Sequence, residues 1–176
     1  MKNLYLTLML IFLATNLAFA QEEDAEGCKD HPLFNRMPNY YINECQIKEF
    51  DVHNFTIENS DEETAKTETV EGKYYYYTYL LKEGAQEMSE IQIFRNFDNA
   101  LKKINAKIVG KVVVSGNSYS FICAKIEKGG METWVRIQAS SPEYYITIVE
   151  REAMKQYIQA NEMLDALNKD GFIALD

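Results

Sequence analysis

Histidine, proline and tryptophan are scarce here, with two, three and one copies in 176 residues. His31 and His53 are the only side chains whose ordinary pKa lies near neutrality, so acid-base catalysis has little to draw on. Three cysteines, Cys28, Cys45 and Cys123, include no C-x-x-C pair, and Cys28 with His31 lacks a second close pair to complete a zinc site. No G-x-G-x-x-G loop, G-x-S-x-G elbow or H-E-x-x-H helix occurs, which removes the dinucleotide, serine-hydrolase and zinc-protease readings. The sequence therefore predicts no enzyme, no metal and no cofactor. Positive charge is also in deficit, 18 Lys and Arg against 27 Asp and Glu. A surface of that sign repels phosphate backbones and anionic lipid heads, so nucleic acid is not an expected partner.

What is present begins with an address. "MKNLYLTLMLIFLATNLAFA" places Lys2 before an apolar run from Leu4 to Leu17 and closes on Ala18-Phe19-Ala20 ahead of "QEED". That is the pattern of a signal peptide over residues 1–20. The run is shorter than the roughly 20 apolar residues of a membrane span, so no integral span is expected after cleavage. Residues 21–176 have the length of one domain. In an oxidising compartment, Cys28 and Cys45 read as a disulfide that staples the loop 28–45, which also holds Pro32 and Pro38. Cys123, inside "SYSFICAKI", reads as a small buried thiol.

Strand and helix signals follow. "EFDVHNFTI" and "KYYYYTYLL" are rich in β-branched and aromatic residues, with the polar "ENSDEETAKTETVEG" between them as a long hairpin loop or frayed strand. Ser89 with Gln92 forms a capping box, and Phe94, Phe97, Leu101 and Ile104 share one side of the helix it opens. "KIVGKVVV", "SYSFICAKI", "ETWVRIQA" and "YYITIVE" are separated by short turns and predict a four-strand meander. A last helix is expected over about residues 152–168. The order β-β-α-β-β-β-β-α predicts an α+β fold, a largely antiparallel sheet of about six strands with two helices on one face.

"GCKDHPLFNRMPNYYINEC", with "KEFD", "YLLKEGA", "SEIQIFRNFDNALKKI" and "REAMKQ" after it, resembles the N-terminal module of bacterial envelope proteins that carry an OmpA-like peptidoglycan-binding domain at their C-terminus. The resemblance covers nearly all of residues 27–176, and the chain contains no counterpart of the peptidoglycan-binding half. It implies a location in the periplasm or in association with the outer membrane; the ligand of the peptidoglycan-binding half does not carry over, and an envelope protein or a glycan is expected as partner only from the sheet face described next. Within "RNFDN", Arg95 and Asn99 lie one helical turn apart as a candidate polar contact, against a structural reading in which Arg95 pairs with Asp98 or a loop carboxylate while Phe94 and Phe97 fill the core.

Alternation splits the meander into two sets. Ile122, Ala124, Ile126, Val135, Ile137 and Ala139 point one way, under the helices, while Tyr119, Phe121, Cys123, Trp134, Arg136 and Gln138 point the other. Tyr75, Tyr77 and Tyr79 share one face of their own strand and are expected to extend the second set. Aromatics mixed with an Arg are enriched where surfaces bind, which makes Trp134, Arg136, Gln138, Tyr119 and Phe121, with Arg95, the candidate binding residues. The function expected is a non-catalytic envelope interaction module, or alternatively a small-ligand or glycan-binding domain using this face. A concave aromatic pocket would favour the ligand, and a flat apolar patch a protein partner.

Overall fold

Residues 22–58, 65–113 and 120–151 are described by a computed structural model of the chain. Six antiparallel strands form one sheet: β1 (Tyr40–Thr56), β2 (Thr67–Leu81), β3 (Lys107–Val112), β4 (Ser120–Lys128), β5 (Met131–Ser140) and β6 (Glu143–Arg151). The single helix among the described residues, α1 (Glu90–Lys103), connects β2 to β3. Spatial order is β1-β2-β6-β5-β4-β3, so the hairpin β1-β2 joins the meander β3 to β6 through the β2-β6 pairing.

This corrects the expected α+β class with two helices on one face. The described chain is a β-rich fold with one short helix. β2 begins at Thr67, inside the polar stretch read as a long hairpin loop or frayed strand, so the end of that stretch is strand. The helix expected over residues 152–168, the signal peptide expected over residues 1–20 and the candidate residue Tyr119 lie outside the described residues.

Local chemistry sets the elements. Lys128 pairs with Met131, which leaves Gly129 and Gly130 as a two-residue hairpin loop with φ of 61° and 80°. That turn needs positive φ at both positions, and glycine supplies it without steric cost. Ser89 caps α1: its Oγ accepts from the Gln92 N–H at 3.4 Å, and the Gln92 Oε1 accepts from the Ser89 N–H at 2.9 Å. The helix buries Ile93, Phe94, Phe97 and Leu101, whereas Ile104, expected on that stripe, is its exposed C-cap. Asp98 pairs with Lys102 at 2.7 Å and Lys111 at 3.3 Å.

One face of the sheet carries the large core. Phe94, Phe97 and Leu101 of α1 pack over Ile122, Val135, Ile137, Ala139, Tyr144, Ile146 and Ile148, together with Tyr40, Ile42, Tyr77 and Tyr79. The N-terminal loop covers the same face, with Leu33, Phe34 and Met37 against that core. The expected disulfide is present: Cys28 and Cys45 are bonded, with Cα atoms 5.8 Å apart. Closing a loop of 17 residues contributes about 3 kcal/mol by chain entropy. Arg36 fastens the same segment through Asp24 and through Asp30 at 2.8 Å.

Candidate functional site

Among the described residues the opposite face bears no helix, and the sheet covers part of it by curling. β1 and β5 are three positions apart in the sheet, about 14 Å if it were flat. Yet the rings of Phe55 and Trp134 lie 5.4 Å apart. The end of β1 has swung over the sheet and meets the far edge, where Gly110 of β3 passes so close to the Thr56 carbonyl that a Cβ there would sit 2.2 Å from its oxygen. Register shifts between Ile42 and Glu44 and between Lys48 and Asp51 give β1 the bends this path needs. Beneath the overhang, Phe55, Val70, Phe121, Cys123, Trp134 and Val149 form a second, smaller core.

Beside that core the same face turns polar. Tyr74, Val149 and Trp134 stand in register across β2, β6 and β5; the next row is Tyr76, Thr147 and Arg136, and the third is Thr78, Tyr145 and Gln138. His53 of β1 joins Tyr76, Arg136, Gln138, Tyr145 and Thr147 around a pocket of about 280 Å³. The Arg136 guanidinium lies over the Phe121 ring at 4.5 Å and reaches Thr56 Oγ1 at 3.4 Å and Gln138 Oε1 at 3.5 Å. Tyr76 and Tyr145 present nearly parallel rings, 6.4 Å between centroids at 17°. Burial, and a hydrogen bond from its hydroxyl to Glu143, push the Tyr145 phenol up, so it remains neutral.

His53 is the unusual member. Its Nε2 is buried without a hydrogen-bond partner, and its ring is edge-on to Phe55 at 4.8 Å. Burial first, and then the Arg136 charge, hold the imidazole below its ordinary 6.5, with Asp51 pulling the other way. It is neutral at pH 7. The second histidine lies on the opposite face: His31 accepts from the Leu33 N–H through Nδ1 at 3.2 Å, and its Nε2 lies 3.5 Å from Glu150.

The predicted residues part company in this geometry. Arg136 and Gln138 line the pocket. Trp134 and Phe121 are 5% and 1% exposed, so they are packing residues of the small core and cannot form a binding surface themselves. The cover over Trp134 is β1, and the N-terminal loop lies on the other face. Arg95 is exposed on α1, away from the pocket, and Asp98 takes Lys102 and Lys111 as partners in place of Arg95. Tyr75, Tyr77 and Tyr79 do share one face, but it is the helix-covered one; Tyr74 and Tyr76 supply the aromatics of the other. Cys123 is buried, as expected.

Sequence reasoning missed Tyr76, Tyr145, Thr147 and His53 as pocket residues. A signal existed in "EYYITIVE", where Tyr145 and Thr147 alternate with the buried Tyr144, Ile146 and Ile148. Among the described residues, no helix is long and apolar enough to cross a membrane and no group of His, Cys, Asp and Glu is placed to hold a metal ion. No protein-family model matches this chain, and no characterised protein is significantly similar to it.

Proposed function

We propose that this protein is a non-catalytic binding protein of the bacterial envelope, with the pocket between β1, β2, β5 and β6 as its ligand site. The observation that carries the reading is the composition of that pocket. It is concave, flanked by two tyrosines, and supplied with an Arg, an amide and a hydroxyl that converge on about 280 Å³. Apolar walls with a few converging polar groups are what small-ligand sites have in common, and this volume lies just below their usual range of about 300–1,000 Å³. A non-catalytic role is supported by the separation of the two histidines onto opposite faces and by the burial of the Cys123 thiol. The disulfide and the leader-like start support export, and the envelope resemblance favours the periplasm.

A second reading, contact with an envelope protein, is favoured by edge strand β1. It exposes Ile47 and Val52 at 50% each, with Phe50 beside them. The two readings separate on one variant. Gln138→Phe fills the pocket and leaves the edge strand unchanged. A thermal-shift screen of the purified protein against sugars, organic acids and amino acids is expected to yield a compound that raises Tm in the parent and not in Gln138→Phe. A compound that stabilises both proteins equally, or a screen in which none raises Tm, overturns the pocket reading.

A further inference from the structure

We infer that the free edge of β1 pairs with the same edge of a second copy of this chain, antiparallel about a two-fold axis between Glu49 and Phe50. This rests on the edge-strand reading above and is independent of the pocket.

β1 ends the sheet, so β2 takes its backbone groups on one side only. At its start the other side is occupied: Asp24 accepts from the Ile42 N–H at 2.9 Å, and the Ile42 carbonyl accepts from the Ala25 N–H at 2.7 Å. Ile42, Ile47 and Val52 stand opposite Tyr79, Tyr75 and Glu71, which lie four apart along β2, so strand alternation turns the backbone groups of all three to that free side. Accordingly the Val52 N–H is taken by the carboxylate of its own neighbour, Asp51, at 2.8 Å. Between Ile42 and the seam at Thr56, no strand among the described residues lies against this edge. Gln46 to Phe50 are all exposed, and Ile47 and Val52 are half-exposed.

A lysine and a bulge usually guard an edge against pairing. Here the bulge does the reverse. Ile47 and Val52 are five positions apart and would face opposite sides in a regular strand; the register shift between Lys48 and Asp51 turns both outward. The stretch Ile47 to Val52 thereby matches its own reverse. When Ile47 exchanges its N–H and C=O with Val52 of a second copy, Lys48 falls opposite Asp51 of that copy, and the two-fold repeats both pairs. Ile47 and Val52 share one face of the sheet, while Lys48 and Asp51, which already pair within the chain, share the other. Apolar side chains therefore meet apolar ones, and four charges of alternating sign meet on the opposite face. A two-fold contact requires such self-complementarity, which an unlike partner does not.

One strand against one strand makes a smaller contact than the about 1,200–2,000 Å² of standard interfaces, so the dimer should be weak. Sedimentation equilibrium of the purified protein should show monomers giving way to dimers between micromolar and millimolar concentration. Val52→Pro removes an outward N–H that β2 does not use, and should abolish the dimer. Lys48→Asp and Asp51→Lys should each weaken association about tenfold, because the two-fold repeats every like-charge contact. Mixing those two variants should restore it, since each supplies the sign the other lacks. Lys48 is exposed and Asp51 partly so, which lets the charge variants decide even if Val52→Pro fails to fold. A parent that stays monomeric at millimolar concentration overturns the second copy and leaves the edge to an unlike protein. Dimers formed as readily by folded Val52→Pro overturn pairing through this edge, and a mixture no more associated than either charge variant alone overturns the register.

Discussion

On the helix-covered face, Ile122, Val135, Ile137, Tyr144, Ile146 and Ile148 are all sealed from water; on the other face, the alternate positions of the same three strands are Phe121, Trp134, Arg136, Gln138, Tyr145 and Thr147, and half of these stay partly open. The first face is covered by α1 and by a disulfide-stapled loop, elements brought from elsewhere in the chain. The second is covered by the sheet's own edge, which seals Trp134 under Phe55 but meets Arg136 only at its guanidinium, through Thr56, and leaves that residue partly open. An independent cover can be as wide as the face it seals. A curl seals only what lies under the overhang, and the pocket is what it leaves.

The largest test of this contrast compares one truncation per face. Phe97 is 1% exposed and meets Phe34 at 6.0 Å and Tyr144 at 5.2 Å, so Phe97→Ala should cost about 4 kcal/mol in urea unfolding. Trp134→Ala should cost about 3 kcal/mol, at the low end of the range for large aromatics, because its smaller cluster has more room to relax. Ligand binding should survive in the folded fraction of the first variant and fail in the second. A loss under about 1 kcal/mol for Trp134→Ala would mean that the second face has no core of its own.

Which residues faced the core was legible within the meander, because alternation is a property of each strand alone: Val135, Ile137 and Ala139 are buried on the helix side as the pattern implies. The capping box at Ser89 and the Gly129-Gly130 turn were equally readable, being local. Placement of Tyr75, Tyr77 and Tyr79 was not, since alternation says which residues share a face and never which face it is. The overhang was illegible for a further reason: it arises from two register shifts in β1 and one close approach at Gly110. Composition was ambiguous at Trp134, because aromatics beside an arginine describe a binding surface and a small core with a polar rim equally well.

Gly110 is where the overhang can be pried open. A methyl group there would meet the Thr56 carbonyl oxygen at 2.2 Å, and that neighbour is backbone, so β1 must move away from β3. Gly110→Ala should therefore cost about 2 kcal/mol, the scale of an overpacked contact. The consequence should fall on one face only. With one tryptophan in the chain, fluorescence reports it directly: emission from Trp134 should shift to the red as Phe55 lifts, while the helix-covered core stays protected in hydrogen exchange. An unshifted spectrum would show that the seam between Thr56 and Gly110 does not hold the curl.

The smallest expected effect uses the two histidines, one on each face. Burial lowers both below 6.5, but Glu150 opposes the shift at His31 by charge and by hydrogen bond, whereas at His53 Arg136 adds to it and only Asp51 opposes. Groups facing His31 include Tyr75, edge-on at 4.6 Å; those facing His53 include Tyr74, at 6.2 Å. In NMR titration His53 should therefore take up its proton at a lower pH than His31. Linkage fixes the sign for stability: below 6.5 the unfolded chain binds these protons and the folded chain does not, so stability is full above 6.5 and falls as pH drops through the two folded-state values. The carboxylates Asp24, Asp98 and Glu132, all lowered, add their own loss only below the usual acid range, from about pH 4 downward. Urea midpoints at pH 7.5 and 5 should thus differ by an amount smaller than in either truncation, and His53→Gln should remove part of that difference.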